Sequence, residues 1–455
     1  MSDLNVSTPE VSTPTLNISI SSLADSGNGS LRGALELIST MNITDGNITL
    51  VFDDSLAGGT LELLSALPVL SGSAAITISA PEGGITITGY GLQTETELTL
   101  NNITLPELVL ASSGSISGQG IALTNQQAIH LRDWQGELDV SGITAQAQDA
   151  CVVMHGFASG GNVTLPLLPE SMSGGYQNGV AVLTIPQNTV VTLAEGVCLR
   201  MESSSTDCGL FVEGELYAEN SEALDVITTS SKPYFKIQNG GRAVLVNSNV
   251  DMRKVDVLEG GVLLMTGGTL TTASNQNLWV DADCQATLED VKVECNIVCK
   301  GGVVLNDCDL SGRNVTVHPE TSAVISGCSG IGTLTLSLDA DVSLTGNDFS
   351  GATIELTDVG EGKTINLSGN TWGSNNLASL LSSLGENAQC VRIDDYTMSG
   401  EECIIRVSTA ADSGPGSLRN AFLLLGNLGQ SGKDFRIEID ESLSGATLEL
   451  LSALP

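Results

Sequence analysis

The chain has 455 residues, and its 53 acidic residues against 17 basic ones give a formal net charge of −36. This charge repels nucleic-acid phosphates and anionic lipid, so we expect no nucleic-acid partner. Aromatic residues make up only 3% and charged residues 15%, while Gly, Ser, Thr, Leu, Val and Asn dominate. That composition favours an all-β protein with many short strands and turns.

The first segment, residues 1–17, is predicted to be a Ser/Thr/Pro linker with the sequence MSDLNVSTPEVSTPTLN. It lacks the basic and then apolar pattern of a signal peptide, so we interpret Met1 as the start of an excised fragment. No apolar run reaches the ~18 residues that a spanning helix needs, and we therefore expect no membrane span in this fragment.

Two near-copies of one motif lie near the ends of the chain. ADSGNGSLRGALEL begins at Ala24 and ADSGPGSLRNAFLL begins at Ala411. The two copies align without a gap, at an offset of 405 − 18 = 387 residues, up to the shared TLELLSALP. We predict that residues 18–68 are the N-terminal capping segment of one module and that 404–455 open a second, truncated module.

Each copy of the motif predicts a turn followed by a capped amphipathic helix. Paired glycines permit the turn, and Ser30 or Ser417 can cap the helix. Ion pairs between Asp25 and Arg32, and between Asp412 and Arg419, are predicted to pin the turn to the helix. The predicted apolar sides are Leu31, Ala34, Leu35, Ile38 and Met41 in the first copy, and Leu418, Ala421, Phe422, Leu425 and Leu428 in the second. Alternating residues then predict a strand in each copy, with Ile48, Leu50 and Phe52 matching Phe435, Ile437 and Ile439.

Residues 69–403 are predicted to form the body of a parallel β-helix. Seven short segments of similar pattern recur at intervals of 19, 23, 17, 20, 19 and 23 residues, and they open at Val246, Met265, Leu288, Leu305, Ile325, Leu344 and Leu367. A period near twenty fits one solenoid coil of three short strands with turns, whose interior side chains rest on the next coil.

The residue three places after each opening position is small or able to hydrogen-bond. These residues are Asn249, Gly268, Val291, Cys308, Cys328, Asn347 and Asn370. We expect Cys308 and Cys328 to lie one above the other inside the coil, together with Asn347 and Asn370, as structural stacking at a turn. A leucine stripe followed by Gly385 predicts a helix near 376–385 that covers the last coil.

The motif ADSG.GSLR.A, the coils of about twenty residues and the closing GNTWGSN together resemble right-handed parallel β-helix repeat proteins of bacterial surfaces. The similar proteins are autotransporter passengers, polymorphic outer-membrane proteins and large adhesins. The resemblance implies an all-β, right-handed β-helix with short amphipathic capping helices, an extracellular or cell-surface location, and an elongated adhesive or structural role. It supplies no catalytic residues that could be carried over to this chain.

Candidate chemistry is sparse along the chain. Adjacent coils are predicted to bring Asp290 beside Asp307 and Lys292 beside Asp309, where two carboxylates could cleave a glycoside or hold Ca²⁺. Aspartate is also common at turns for backbone reasons, and Lys292 with Asp309 would be an ordinary surface pair. No DxDxDG loop supports calcium, and we expect no other cofactor.

The other reactive residue types form no recognised motif. The three histidines (His130, His155 and His318) are far apart in sequence and are expected in different coils, without a metal or nucleophile motif. Trp134, Trp279 and Trp372 are expected to pack, with sugar stacking as the alternative if they are exposed. The ten cysteines have no zinc-type spacing. They are either disulfides, with Cys295–Cys299 or Cys198–Cys208 nearest in sequence, or free buried thiols.

The sequence therefore predicts a non-catalytic structural or adhesive module of a repetitive surface or secreted protein, acting as a stalk or fibre. Its expected partners are neighbouring modules, docked head to tail, and a host or matrix glycan or protein. The alternatives are a polysaccharide lyase or glycoside hydrolase on the same scaffold, and a calcium-stabilised, self-assembling matrix or filament subunit.

Overall fold

The computed structural model describes residues 15–41, 43, 46–201, 208–221, 224–226, 233–360, 362–373, 379–380, 383, 390–393, 396–399, 403–414, 416–428 and 435–455. It is 49% strand and 8% helix, and its parallel strands stack as a β-solenoid of about 14 turns. The predicted all-β parallel solenoid with few short helices is therefore confirmed. The chain divides into two compact units, residues 1–202 and 203–455.

The first unit contains three main parallel sheets, each of which takes one strand from successive turns. The first sheet contains Thr15–Ile20, Asn47–Phe52, Ala75–Ser79, Glu97–Asn101 and Ser115–Gln119. The second contains Thr60–Glu62, Ile85–Thr88, Ile103–Leu105, Ile121–Leu123 and Ile143–Ala145. The third includes Leu92–Thr94, Leu108–Ala111, Gln127–Arg132, Cys151–Met154, Gly175–Asn178 and Leu199–Met201.

The remaining elements of the first unit are short. A further parallel row contains Gly136–Glu137, Asn162–Leu165 and Val190–Leu193. The other elements are the strand Val182–Ile185, the helix α1 (Leu31–Met41) and the 3₁₀ turns Asp54–Leu56 and Glu170–Met172.

The second unit repeats the three-strand turn with a more even period. One face contains Glu215–Glu219, Arg242–Val246, Val262–Thr266, Gln285–Glu289, Gly302–Asn306, Ser322–Ser326 and Asp341–Thr345. The next face contains Leu224–Val226, Val250–Met252, Thr269–Thr272, Lys292–Glu294, Asp348–Phe349, Asn370–Gly373 and Tyr396–Ser399. The third face contains Gly209–Val212, Tyr234–Ile237, Lys254–Val257, Asn277–Val280, Asn296–Cys299 and Thr353–Thr357.

Two long strands of this unit, Asp309–Val317 and Ser329–Ser337, bend from the second face onto the third. Beyond the three faces, Ile365–Asn366 pairs with Val391–Arg392, and Cys403–Val407 pairs with Phe435–Ile439. The helix α2 (Leu418–Leu428) and the 3₁₀ turn Glu441–Leu443 complete the unit.

The predicted stack of aliphatic side chains runs through the interior of the second unit. Leu305 pairs in register with Ile325, which pairs with Leu344, and all three side chains are buried. The series continues in the other direction through Leu288 and Met265. The predicted opening residue Val246 is one position wrong, because Leu245 pairs with Met265 while Val246 pairs with the outward Thr266. A one-residue shift in a strand exchanges its buried and exposed faces.

The first copy of the repeated motif folds as its residues predict. Ser30 Oγ accepts a hydrogen bond from the Gly33 N–H at 3.1 Å and donates one to the Gly27 carbonyl at 2.7 Å, which caps α1. Leu31, Ala34 and Leu35 are buried. The prediction was wrong for Met41, which is about half exposed at the last residue of α1.

The second copy repeats the cap, but its helix is only partly buried: Ala421 is buried as the matching Ala34 is. Ser417 Oγ makes the same two hydrogen bonds, to the Asn420 N–H and the Gly414 carbonyl. Phe422, predicted to be on the apolar side, is 37% exposed. The strand Asn47–Phe52 lies between two parallel strands, whereas Phe435–Ile439 pairs, among the residues described, only with Cys403–Val407. Ile439 is therefore 55% exposed, while the matching Phe52 is 1% exposed.

Two predicted segments lie largely outside the described residues. They are the helix near 376–385 and most of the 1–17 linker, of which the structure describes only residues 15–17, in the strand Thr15–Ile20. The predicted boundaries at 69 and 404 stay predictions. Among the described helices, none is long and apolar enough to cross a membrane.

Candidate functional site

The low-ranked catalytic and calcium candidates Asp290 and Asp307 lie at equivalent turns of consecutive coils. Both have left-handed backbone, with φ of 54° and 52°. The Asp290 N–H donates to the Asn306 carbonyl at 2.9 Å, and the Asp307 N–H donates to the Ser326 carbonyl at 2.8 Å. Aspartate tolerates left-handed turns better than most residues, so a backbone role accounts for both side chains. Within the described part of the chain, no three His, Cys, Asp or Glu side chains converge as a metal site would require.

The third carboxylate candidate, Asp309, pairs in register with Lys292 on the neighbouring strand. The carboxylate that forms the ion pair with Lys292 is nevertheless that of Glu294. Residues two apart on a strand share one face, so Glu294 lies on the same side as the lysine. The hydrogen bond with Glu294, and to a smaller extent the charge of Asp309, raises the pKa of Lys292. Asp309 itself accepts a hydrogen bond from the Ser311 N–H at 2.9 Å.

The four predicted structural residues Cys308, Cys328, Asn347 and Asn370 are buried on successive turns of the second unit. The Cys308 thiol donates to the Leu288 and Asn306 carbonyls, and the Cys328 thiol donates to the Leu305 and Ser326 carbonyls. The neighbouring Cys308 thiol and burial raise the pKa of Cys328. Asn347 Nδ2 donates to Asn370 Oδ1 at 3.0 Å, and Asn347 Oδ1 accepts from the Cys328 N–H at 2.9 Å. We call the column of inward turn residues that contains these four the interior ladder.

In the coil of Asn249, the residue that belongs to the interior ladder is one position earlier than predicted. Ser248 is the buried residue there, and its Oγ lies 3.2 Å from Ser221 Oγ on the preceding turn. The inward column is therefore Ser221, Ser248, Gly268, Val291, Cys308, Cys328, Asn347 and Asn370. Along it, Cys308 and Cys328 are free thiols, as are the buried Cys295 and Cys299. The interior ladder serves packing and hydrogen bonding, since all of its residues except the half-buried Gly268 are buried.

His130 and His155 lie in different coils of the first unit, as predicted, but these coils are adjacent and the two side chains meet. His130 Nδ1 lies 3.0 Å from His155 Nε2, and the two rings stack with centroids 5.3 Å apart. Glu107 Oε2 lies 3.7 Å from His130 Nε2 and accepts a hydrogen bond from Asn125 Nδ2. His130 points outward from its strand, since the neighbouring Ile129 and Leu131 pair with the buried Leu108 and Leu110.

Burial is the main cause that lowers the pKa of both histidines. Glu107 opposes this effect at His130, while the charge of His130 itself adds to it at His155. Both imidazoles are therefore neutral at neutral pH, and one ring donates the shared hydrogen bond to the other. No hydroxyl or thiol nucleophile is found within hydrogen-bond distance of either ring in the described part of the chain.

The outward side of the third sheet of the second unit carries interleaved aromatic and basic side chains. Lys236 Nζ lies 4.6 Å from the centroid of the Phe211 ring and 5.2 Å from that of Tyr234. The Arg253 guanidinium lies 5.2 Å from the Tyr234 centroid. Two ammonium groups flank one indole, with Lys254 at 5.4 Å and Lys300 at 4.7 Å from the Trp279 centroid.

Register brings these residues together. Phe211 pairs with Lys236, which pairs with Asp256, which pairs with Trp279. Tyr234 pairs with Lys254 in the adjacent outward column. We call the surface formed by Phe211, Tyr234, Lys236, Arg253, Lys254, Trp279 and Lys300 the aromatic–basic face. It contains four of the 17 basic residues of the chain.

The charges of the aromatic–basic face are only partly neutralised. Lys254 Nζ lies 2.8 Å from the buried Asp256 carboxylate. Lys236, Arg253 and Lys300 contact aromatic rings but have no carboxylate within 4.0 Å among the residues that the structure describes. In a chain with three times as many acids as bases, three clustered cations with no acidic partner in the described part of the chain are an unusual surface.

A cleft of about 780 Å³ lies beside Lys300. It forms where one coil is short: a Cβ on Gly301 would lie 2.2 Å from the Asp281 carbonyl, so only glycine permits this tight turn. The cleft is lined by groups of both signs, including Lys300, His318, Asp283 and Glu320. Its volume is that of a small-molecule site.

The histidine pair and the aromatic–basic face, the two outward clusters, were not predicted from the sequence. The prediction followed only one column of each coil, the turn after its first strand. The 25-residue separation of His130 and His155 is one coil in that part of the chain, and it was the available signal. Trp134 and Trp372 are buried as predicted, whereas Trp279 is half-buried.

No protein-family model matches the chain, and no curated protein or solved structure is significantly similar to it.

Proposed function

We propose that the chain is a non-catalytic structural or adhesive module of a repetitive cell-surface or secreted β-helical protein, acting as a stalk or fibre. The location outside the cell and the relation to bacterial adhesins are part of this proposal. Two features support it: aliphatic residues fill the interior of stacked turns, and the candidate carboxylates lie at turns that need them for backbone reasons.

The observation that carries the proposal is the repeated opening. Arg32 donates hydrogen bonds to Asp25 Oδ1 and to the Ser65 carbonyl, each at 2.7 Å, and also to the Ala66 carbonyl. Arg419 makes the equivalent contacts with Asp412 Oδ1, with the Ser452 carbonyl at 2.8 Å, and with the Ala453 carbonyl. We call these three contacts of the arginine the three-way lock. Because both copies contain it, it supports the interpretation that they open successive modules of one design.

Such a module acts through the length of its solenoid and through the number of binding sites along the array. Each turn advances the solenoid by about 4.8 Å, and weak sites repeated along an array gain avidity through effective concentration. The exposed strand Phe435–Ile439 supports docking against a further module, because apolar strand edges pair readily.

Incubation with acidic and neutral polysaccharides tests the proposal, with new reducing ends as the readout. We expect none to form. Reducing ends formed by the natural chain but not by an Asp307→Asn variant would overturn the non-catalytic assignment and favour the glycosidase alternative. The calcium-stabilised alternative predicts a lower melting temperature in chelator, whereas we expect no change.

A further inference from the structure

We propose that the aromatic–basic face binds an anionic polysaccharide with one carboxylate per sugar. This inference deepens the proposed adhesive function, on which it rests, by naming the class of ligand. The surface meets the two requirements of such a site. Lys236, Arg253 and Lys300 have no carboxylate within ion-pair distance among the described residues, and half-buried aromatic rings lie beside them.

The rings hold the cations in place without neutralising them. A lysine ammonium has three N–H donors, and attraction to a ring face leaves donors directed at solvent. Lys236 lies between two rings, and Lys300 is exposed above Trp279. Because the side chains are already positioned, a carboxylate that binds them does not have to order a free lysine.

The spacing favours a linear ligand that crosses the strands. The cations come from three of four consecutive coils, which repeat about every 4.8 Å. Lys236 lies in the first of these coils, Arg253 and Lys254 in the second and Lys300 in the fourth, while the third contributes Trp279. A polymer that runs along the coil stack therefore meets basic groups on three of four turns and the Trp279 ring on the other. Each contact is weak, but several on one polymer act together.

The charge of the whole chain selects among polyanions. Duplex DNA carries one charge per ~1.7 Å, and a net charge of −36 repels so dense a polymer strongly. A polyuronate has one charge per sugar ring, so it suffers less of this long-range repulsion while still meeting the local cations. An acidic peptide is flexible and loses more conformational entropy on ordering than a ring polymer does.

The charged groups around the face also set its limits. Asp256 lies in register between Lys236 and Trp279 and forms an ion pair with Lys254, so it neutralises part of the centre. Asp283 and Glu320 line the cleft beside Lys300, so the polymer is expected to lie across the sheet and not to enter the cleft. Lys236 and Lys300, at opposite ends of the face, are therefore the main contacts.

The test measures binding of the full chain to polygalacturonate by affinity electrophoresis and titration calorimetry. We expect binding that weakens as salt increases, and a double variant Lys236→Gln/Lys300→Gln that binds about tenfold more weakly, the equivalent of one charged hydrogen bond. The matched control is Lys292→Gln, an exposed lysine already paired with Glu294, which is expected to bind as the natural chain does. If the double variant fails to fold, Lys300→Gln alone decides, because Lys300 is exposed.

Comparison ligands are dextran, polyglutamate, a sulfated glycan and a single-stranded oligonucleotide. Equal binding of dextran, or unchanged affinity in the double variant, overturns the inference. Polyglutamate or oligonucleotide bound at least as tightly as polygalacturonate also overturns it, and preference for the sulfated glycan overturns the carboxylate assignment. Absence of binding overturns this inference but leaves the proposed role as a stalk or fibre. New reducing ends instead overturn the non-catalytic assignment and leave a measured affinity intact.

Discussion

Replacement of Asn347 by alanine is expected to destabilise the second unit more than any comparable change at its surface. The Asn347 side chain is fully buried. Its Oδ1 accepts from the Cys328 N–H at 2.9 Å, and its Nδ2 donates to the Ile325 carbonyl at 2.8 Å and to Asn370 Oδ1 at 3.0 Å. Alanine removes all three bonds.

The expected magnitude follows from the groups left behind. The Cys328 N–H and the Ile325 carbonyl lose these bonds inside the solenoid, and each unsatisfied buried group costs about 1–3 kcal/mol. Asn370 Oδ1 keeps its bond from the Asn347 backbone N–H at 2.9 Å, so it contributes less. The free energy of unfolding should therefore fall by about 2–5 kcal/mol.

Asn314→Ala is the matched control. Asn314 Oδ1 accepts from the Thr333 N–H of the next turn at 3.0 Å, but on the exposed outer surface. Water replaces that bond, so the expected loss is below about 1 kcal/mol. Urea unfolding followed by far-UV circular dichroism measures both variants. Equal losses in the two variants would refute the view that burial of the interior ladder gives its hydrogen bonds their importance.

Three further changes probe other parts of the chain. Acidification from pH 7 to 5 should destabilise the first unit, because the pKa values of the histidine pair are lowered in the folded state. The contribution of this pair to the free energy of unfolding is fully present above about pH 6.5. Below that pH it is lost by up to about 1.4 kcal/mol per pH unit per histidine. His130→Gln should flatten this slope in urea midpoints, and an unchanged slope would contradict the assignment. Gly268→Ala should cost more than Gly240→Ala, because both have φ near +78° but only Gly268 would bring a Cβ within 2.2 Å of a carbonyl oxygen; equal melting temperatures would disprove the steric argument. Arg32→Ala should lower the urea midpoint more than Arg242→Ala, whose ion pair with Glu215 is exposed, and the reverse order would argue against the three-way lock.

The sequence was sufficient for the solenoid because a period near twenty residues is a global property of the chain. A missed residue changes little when seven segments share one spacing. Phase is more fragile: Val246 and Leu245 are both aliphatic, so composition did not decide which one faces inward, and the error carried over to Asn249 and Ser248.

The outward clusters were harder to predict, because each depends on the register of strands 20 to 25 residues apart. The pairing of Phe211 with Lys236, and of Asp256 with Trp279, can be predicted only if the length of every intervening turn is known. A turn that is one residue longer would move each partner to the opposite side of its strand. Local sequence does not specify such lengths, whereas the assembled sheet does.

The interior ladder also affects how this chain can change in evolution. Each inward turn residue makes its contacts with the turns directly above and below it, so a whole turn of about twenty residues can be gained or lost while every other contact keeps its neighbours. Insertion of a single residue instead exchanges the buried and exposed faces of one strand. Relatives of this protein should therefore differ in length by whole turns.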